Sequence, residues 1–337
     1  MTNRDNSIDI LRSIALIGMI ISHCEPHWII MQFREFDVSL IVFLSGVSYM
    51  LSAKRYGGEV QYLPYCWKRF KRLVFPTWVF LLIYYAVLYT GTSITGNLNV
   101  KWVEILHNFT LTTGWYVWII RVFLIIALVA PFLYKLSIRT SNRYFWWLFT
   151  GVLIAYEFVA KLSRCDAYYY LTMCIPYMMI FSYGAISDRM SKRNLLIVAI
   201  VSFVIFVLAA IYYYVVTGAF QPTQIRKYPP QLYYTSYAIA VTTILWMYRK
   251  GITQLCDSLR ISNLFSFIGS HTLWIYFWHV IVLLVIGARI SNPVLLFVTV
   301  FLIAVIIDYL QVRIIEFIFS KVNNEKVKNN LSIIFLG

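Results

Sequence analysis

The stretch LRSIALIGMIISH, residues 11–23, indicates what kind of protein this is. Arg12 and His23 flank a run that is almost entirely apolar. Eleven residues at about 100° each return to within about 20° of the start, so a helix places both side chains on one face. They then stand about 16 Å apart along the axis, roughly half the hydrocarbon core of a bilayer. Ionisable groups within a spanning helix are costly, so both are functional candidates.

The composition of the whole chain indicates an integral membrane protein. Of its 337 residues, 61% are hydrophobic and only 13% are charged, whereas soluble domains carry about one quarter charged residues. The net charge of +15 does not indicate a nucleic-acid partner, because the basic residues lie in loops between apolar runs. Five scattered cysteines lack CxxC spacing, which argues against disulfides or a metal site. We predict no metal and no permanently bound cofactor.

Ten apolar runs predict an all-α, polytopic fold with about ten transmembrane helices. A β-barrel is disfavoured because the runs are continuous rather than alternating. Lysine and arginine are concentrated in every second loop, which predicts cytoplasmic N- and C-termini. We expect a transmembrane domain at 1–320 and a short cytoplasmic tail at 321–337. The runs lie at about 8–30, 36–53, 73–90, 115–137, 144–161, 168–187, 194–216, 232–249, 270–289 and 293–319.

His23 is the first candidate for catalysis. A histidine base needs a partner that orients it and stabilises its protonated form. Glu25 is too close along the helix to face the same way, so Glu157 or another distant carboxylate is the candidate partner. The alternative is a histidine that only hydrogen-bonds within the bundle. His27 follows at i+4, as in some zinc sites, but no third ligand lies nearby in the sequence.

A basic run, KRFKRLVFP at 68–76, precedes the third apolar stretch. Arginine presents a planar fork of donors that binds phosphate oxygens in pairs. Together with Arg12, this run suits a cytoplasmic ligand that carries several phosphates. The alternatives are a positive-inside anchor on anionic lipid and, for Arg12, a side chain that extends to the inner interface.

Three further candidates lie toward the predicted outer face. Trp115 suits either an aromatic belt or stacking on a sugar ring. Arg121, one turn deeper, needs a partner within the span, and Glu157 is a candidate. Tyr228 lies in the loop KYPPQLYY, residues 227–234, which is a plain connection or a contact for a sugar acceptor. For His279, a hydrogen bond in the core is the favoured interpretation.

Taken in order, these motifs resemble the membrane-bound acyltransferase-3 family. KYPPQLYY also resembles a loop found in a subset of that family. The motifs are Arg12-x10-His23, FLSG (43–46), KRFKRLVFP (68–76), Trp115-Tyr-Val-Trp118 and LWIYFWH (273–279).

The resemblance implies about ten spanning helices and transfer of an acyl group, usually acetyl, from cytoplasmic acyl-CoA to a sugar hydroxyl. It implies that His23 is the catalytic histidine, that Arg12, Arg69 and Arg72 bind acyl-CoA, and that Trp115 matches the family's tryptophan. We therefore expect an O-acetyltransferase of the bacterial cytoplasmic membrane. Its partners are acetyl-CoA as donor, a glycan or lipid-linked sugar as acceptor, and membrane lipid.

Two other functions fit the same composition. A glycan or lipid-linked sugar transporter also carries polar residues within its spans. A structural partner in a polysaccharide-synthesis complex would tolerate loss of both Arg12 and His23. Affinity for acetyl-CoA separates the enzyme from the transporter.

Overall fold

The computed structural model describes residues 5–55, 57, 60–95, 101–112, 115–162 and 172–336. Within these ranges the regular structure is helical, which confirms the all-α prediction. The helices are α1 (Asn6–His23), α2 (Trp28–Arg34), α3 (Asp37–Arg55), α4 (Tyr62–Thr95), α5 (Trp102–Phe109), α6 (Trp118–Arg139), α7 (Asn142–Leu162), α8 (Cys174–Ile186), α9 (Lys192–Thr217), α10 (Leu232–Met247), α11 (Arg249–Ser258), α12 (Ser262–Ser270), α13 (Thr272–Ile286), α14 (Pro293–Lys321) and α15 (Glu325–Phe335). Short 3-10 turns lie at Ser187–Arg189, Thr223–Arg226 and Gly287–Arg289.

Within the described ranges, six helical stretches are long and apolar enough to cross a membrane, so this is a multi-pass membrane protein. Helix α8 has 13 residues, or about 20 Å of axial rise, less than the roughly 30 Å of the hydrocarbon core. The total of ten spans and the side on which the termini lie stay predictions. The six stretches are Trp28–Arg55, Tyr62–Gly91, Trp118–Arg139, Lys192–Thr217, Thr272–Arg289 and Pro293–Lys321.

The predicted run at 8–30 is wrong as a single helix, because it contains a corner. Helix α1 ends at His23 and α2 begins at Trp28. Glu25 between them adopts a positive φ of 49°, a conformation that does not continue a helix. His27 caps α2, where its ring nitrogen accepts a hydrogen bond from the Ile29 amide at 3.4 Å. His23 and His27 therefore do not lie on one helix, and their i, i+4 spacing does not place them on a common face.

Two other segments are helical where the sequence indicates a loop or a tail. Helix α4 begins at Tyr62, so the basic run at 68–76 forms helical turns rather than a loop before the helix. The segment after α14 contains the amphipathic helix α15. Both extensions place polar and basic residues on helix faces at fixed spacing.

The first of two compact units comprises the described residues of 1–60 and 128–269. Its centre is the crossing of α3 and α8, where a Cβ at Gly46 would fall on the carbonyl oxygen of Phe181. Gly184 meets Phe43 on α3 in the same way. These glycines let the two backbones touch, so the glycine that ends FLSG serves close helix packing.

The second unit comprises the described residues of 61–127 and 270–337. The rings of Phe80 on α4 and Phe277 on α13 stack with centroids 4.4 Å apart. Helix α15 packs against this unit, and its last turn accepts two side-chain hydrogen bonds. Trp274 donates to the carbonyl of Ile334 at 2.8 Å, and Gln311 donates to that of Phe335 at 2.7 Å.

Candidate active site

Helix α1 carries both residues of the decisive stretch, as predicted. Arg12 lies two turns from the N-terminal end of α1, where its guanidinium donates to Asp9 at 3.0 Å and to the Ser48 hydroxyl of α3 at 2.7 Å. The side chain keeps 27% of its surface exposed. Arg12 is therefore held in place by α1 and α3, while part of its side chain stays exposed.

His23 is the last residue of α1 and lies beside a group of charged side chains. A Cβ at Gly18, one turn and a half earlier, would stand 3.2 Å from the Cβ of Asp37, so α1 packs directly on the start of α3. Asp37, Arg34 and Lys227 all act electrostatically on the His23 imidazole. The corner between α1 and α3 thus brings His23 to a buried carboxylate.

The charged side chains form a compact cluster, which we call the buried charge cluster: Arg34, Glu35, Asp37 and Lys227. Arg34 donates to Asp37 at 2.8 Å and also pairs with Glu35. The Lys227 ammonium lies 3.1 Å from Glu35 and 3.6 Å from Asp37. No side chain of the four is more than 5% exposed. Two cations and two carboxylates balance, which is the condition under which buried charges are tolerated.

The loop before α10 carries Lys227 into this cluster. The Thr223 amide donates to Gln32 of α2 at 2.9 Å, and Arg34 donates to Gln224 at 3.2 Å, so the loop is fixed to the corner. Burial disfavours the charged ammonium of Lys227, but Asp37 and the other acidic neighbours outweigh it, so its pKa is raised above the ordinary lysine value. Lys227 is therefore a permanent cation of the cluster.

Tyr228 adjoins the cluster. Its ring lies 5.8 Å from the Lys227 ammonium, and it retains 42% of its surface. A partly exposed aromatic ring beside a buried ion cluster suits contact with a polar ligand. The predicted role of Tyr228 toward an acceptor stays a prediction.

Glu157 has a different environment from the one the sequence suggests. Its Oε2 accepts a hydrogen bond from the Leu232 amide at 2.9 Å, at the first turn of α10. A carboxylate there satisfies a free backbone donor and complements the helix dipole. Asp37 acts electrostatically on His23, and the catalytic role of Glu157 stays a prediction.

The remaining predicted residues lie in the second unit. The guanidinium of Arg69 lies 5.6 Å from the centre of the Tyr65 ring. Arg121 is 8% exposed, and it donates a hydrogen bond to the Leu111 carbonyl at 2.8 Å. Trp115 packs edge-on against Tyr84 with ring centroids 4.6 Å apart.

Arg72 lies on the basic face of α4, with Lys68 and Lys71. This face lines a cleft together with α15. Among the described residues, no group of three or more His, Cys, Asp or Glu side chains is arranged to hold a metal ion.

The acyltransferase-3 family model, described as an acyltransferase domain, matches residues 5–310. This chain belongs to the acyltransferase-3 family. The match confirms the resemblance seen in the motifs, and it spans α1, the buried charge cluster and the basic face of α4. No curated protein matches the chain, and no solved structure does either. The family supports a membrane acyltransferase, and α15 lies beyond the matched residues.

Sequence reasoning missed the buried charge cluster. Arg34 and Lys227 lie between the predicted apolar runs, where solvent-exposed cations are expected, yet both are buried. The available signal is FREFD, residues 33–37, where three ionisable residues directly precede an apolar run. The partner Lys227 has no comparable signal, because only the fold brings the loop before α10 to this corner.

Proposed function

We propose that this acyltransferase-3 protein is an O-acetyltransferase of a bacterial cytoplasmic membrane. It moves an acetyl group from cytoplasmic acetyl-CoA to a sugar hydroxyl of a surface or exported glycan. The observation that carries the proposal is the placement of His23, a proton acceptor at the end of α1, in electrostatic range of the buried carboxylate of Asp37.

In this mechanism, His23 takes the proton of the acceptor hydroxyl as its oxygen attacks the thioester carbonyl. The bond between the carbonyl carbon and sulfur then breaks, and the proton passes from the imidazolium to the departing thiolate. The products are the acetylated sugar and free CoA. Positioned proton transfer of this kind typically contributes about 10²–10⁴-fold to the rate.

Asp37 stabilises the imidazolium that forms during the reaction, as a carboxylate does beside a catalytic histidine elsewhere. Arg34 and Lys227 hold this carboxylate in one position through contacts at 2.8 and 3.6 Å. A catalytic group keeps its geometry when its neighbours are themselves locked by hydrogen bonds. The cluster is therefore the support of the His23–Asp37 pair.

Arg12, Arg69 and Arg72 are proposed to bind the phosphates of acetyl-CoA. Guanidinium groups suit phosphate oxygens because they form paired, charge-assisted hydrogen bonds. Arg12 is held by Asp9 and Ser48, and Arg69 lies over Tyr65. Their side chains thus lose less freedom on binding than unsupported arginines would.

The test is mass spectrometry of surface glycan from cells that express the intact protein or His23→Ala. We expect the mass increment of an acetyl group in the first sample and its absence in the second. Glu25→Ala, two residues away and exposed, is the matched control and should preserve the increment. Membrane abundance of all three proteins is compared by immunoblot.

Full acetylation with His23→Ala at equal abundance would eliminate the proposed chemistry. The transporter is distinguished by the amount of glycan. If His23→Ala lowers the quantity of surface glycan but leaves the acetyl content of each repeat unchanged, the protein moves the glycan rather than modifying it.

A further inference from the structure

A basic cleft in the second unit involves the C-terminal helix. It encloses about 490 Å³, a volume typical of sites that hold small ligands. The lining residues are Pro64, Trp67, Lys68, Lys71 and Arg72 of α4, and Asn329, Ser332 and Ile333 of α15. All of them lie in described parts of the chain, and none is acidic.

The charge on this cleft favours an anion with several negative groups. Lys71 and Arg72 follow Lys68 by three and four positions, so both lie next to Lys68 on one face of α4. Like charges at this spacing repel each other, and an anion between them relieves the repulsion. A single carboxylate would compensate only one of the three, whereas phosphate groups can compensate all of them.

The opposite wall of the cleft, α15, is held in place by hydrogen bonds at both of its ends. Asn324 caps the N-terminus of α15, where its side chain accepts hydrogen bonds from the amides of Lys326 and Val327. Its last turn accepts hydrogen bonds from Trp274 and Gln311. Asn329 and Ser332 are therefore held at fixed positions across the cleft from the cations. An amide and a hydroxyl there add hydrogen-bond donors without adding charge.

An aromatic ring completes the lining. Trp67 is 56% exposed although its ring also stacks on Phe70 with centroids 5.5 Å apart, and the ammonium of Lys71 lies 5.7 Å from its ring centre. A flat, exposed indole beside several cations suits a ligand that joins a heteroaromatic base to phosphates, because bases stack on such rings. A lipid headgroup offers the phosphate but no base.

We infer that α15 and the basic face of α4 form the site for the nucleotide end of acyl-CoA. Lys68, Lys71 and Arg72 pair with phosphate oxygens, Asn329 and Ser332 donate hydrogen bonds, and Trp67 stacks on the adenine. This inference rests on the proposed function and extends it to a helix beyond the family match. It also assigns a binding role to Lys68 and Lys71.

The test measures CoA binding by the purified full-length protein in nanodiscs of neutral phospholipid. We expect the double variant Asn329→Ala, Ser332→Ala to weaken CoA binding about 100-fold or more, because it loses two hydrogen bonds to charged oxygens. In membranes with native acceptor, the KM for acetyl-CoA should rise by a similar factor while kcat is unchanged. Lys326→Ala with Asn330→Ala, also on α15 but outside the cleft, is the matched control.

The outcomes separate this inference from the proposed function. If the wild-type protein binds CoA and the Asn329, Ser332 variant binds it equally, the inference fails and the function stands. If the wild-type protein has no affinity for CoA, both fail. If nanodiscs with anionic phospholipid abolish the difference between variant and wild type, the cleft holds a lipid headgroup, which overturns the inference. Thermal melts confirm that each variant is folded.

Discussion

The ammonium of Lys227 lies 3.1 Å from Oε2 of Glu35, and neither side chain is more than 4% exposed. The two residues come from distant parts of the chain, the corner between α2 and α3 and the loop before α10. Their pairing fixes that loop to the corner beside His23. The same contact keeps the net charge of the buried cluster at zero, so the site and its stability depend on one another.

Replacing Lys227 with Met should destabilise the first unit by about 3–5 kcal/mol, because the cluster then holds an uncompensated buried carboxylate. The measurement is the Tm of the purified protein. Lys250→Met, which changes an exposed lysine, should leave the Tm unchanged. Adding Glu35→Gln to Lys227→Met should restore part of the loss, and a double variant as unstable as the sum of both single variants would contradict the pairing.

Asp37→Asn should lower the Tm, because the cluster then holds an uncompensated buried cation. In the folded protein that remains, it should lower kcat for acetyl transfer by about 10²-fold or more, because the imidazolium of His23 loses its stabilising charge. Glu157→Gln should reduce stability slightly and leave kcat close to wild type, since Glu157 caps α10 through the Leu232 amide. Both values come from acetyl-CoA turnover in isolated membranes. If Glu157→Gln lowered kcat more than Asp37→Asn did, Glu157 and not Asp37 would be the partner of His23.

Arg12→Ala should raise the KM for acetyl-CoA about tenfold or more, since a charge-assisted contact to phosphate is worth about 1.5–3 kcal/mol. Ser48→Ala should have a smaller effect in the same direction, because it removes only the hydrogen bond that positions Arg12. Initial rates at varied acetyl-CoA concentration give the KM of both variants. A lower kcat with an unchanged KM for Arg12→Ala would place this arginine at the reacting centre instead.

Gly46→Ala should prevent stable folding of the first unit, because the new Cβ falls on the carbonyl oxygen of Phe181 and the two helix backbones must separate. Gly151→Ala on α7 is the control, since a Cβ there meets nothing within 4 Å. That variant should gain about 0.5–1 kcal/mol from helix propensity. The yield of folded protein in detergent and its Tm measure the effect of each variant. A Gly46→Ala protein that folds normally would refute the close contact between α3 and α8.

Asp308→Asn should raise or preserve the Tm. Asp308 lies in α14 with no exposed surface, and neither of its carboxylate oxygens has a hydrogen-bond partner in the described part of the chain. A neutral amide of the same shape avoids the cost of burying a charge. A fall in Tm would instead show that the carboxylate holds a stabilising contact. Thr242→Val, at a buried position in the first unit, provides a comparison for the loss of one polar group.

The all-helical fold was predictable because each spanning helix must satisfy its own backbone in lipid, and that requirement leaves a long apolar run in the sequence. The predicted runs at 194–216 and 293–319 match α9 (Lys192–Thr217) and α14 (Pro293–Lys321) to within two residues. The corner at Glu25 was missed, because apolar residues on both sides of it hide a break of only a few residues. The polar helix α15 was missed because it does not span a membrane and has no long apolar run.

For the site, the local sequence determined that Arg12 and His23 share a helix, since their spacing of eleven residues is a property of α1 alone. It also determined the basic face of α4, where three cations repeat at helical spacing. Only the tertiary structure decided that Asp37 stands by His23, that Lys227 closes the buried charge cluster, and that α15 faces α4. The physical reason is that charge pairing and burial depend on which distant segments pack together, and helical periodicity carries no record of that choice.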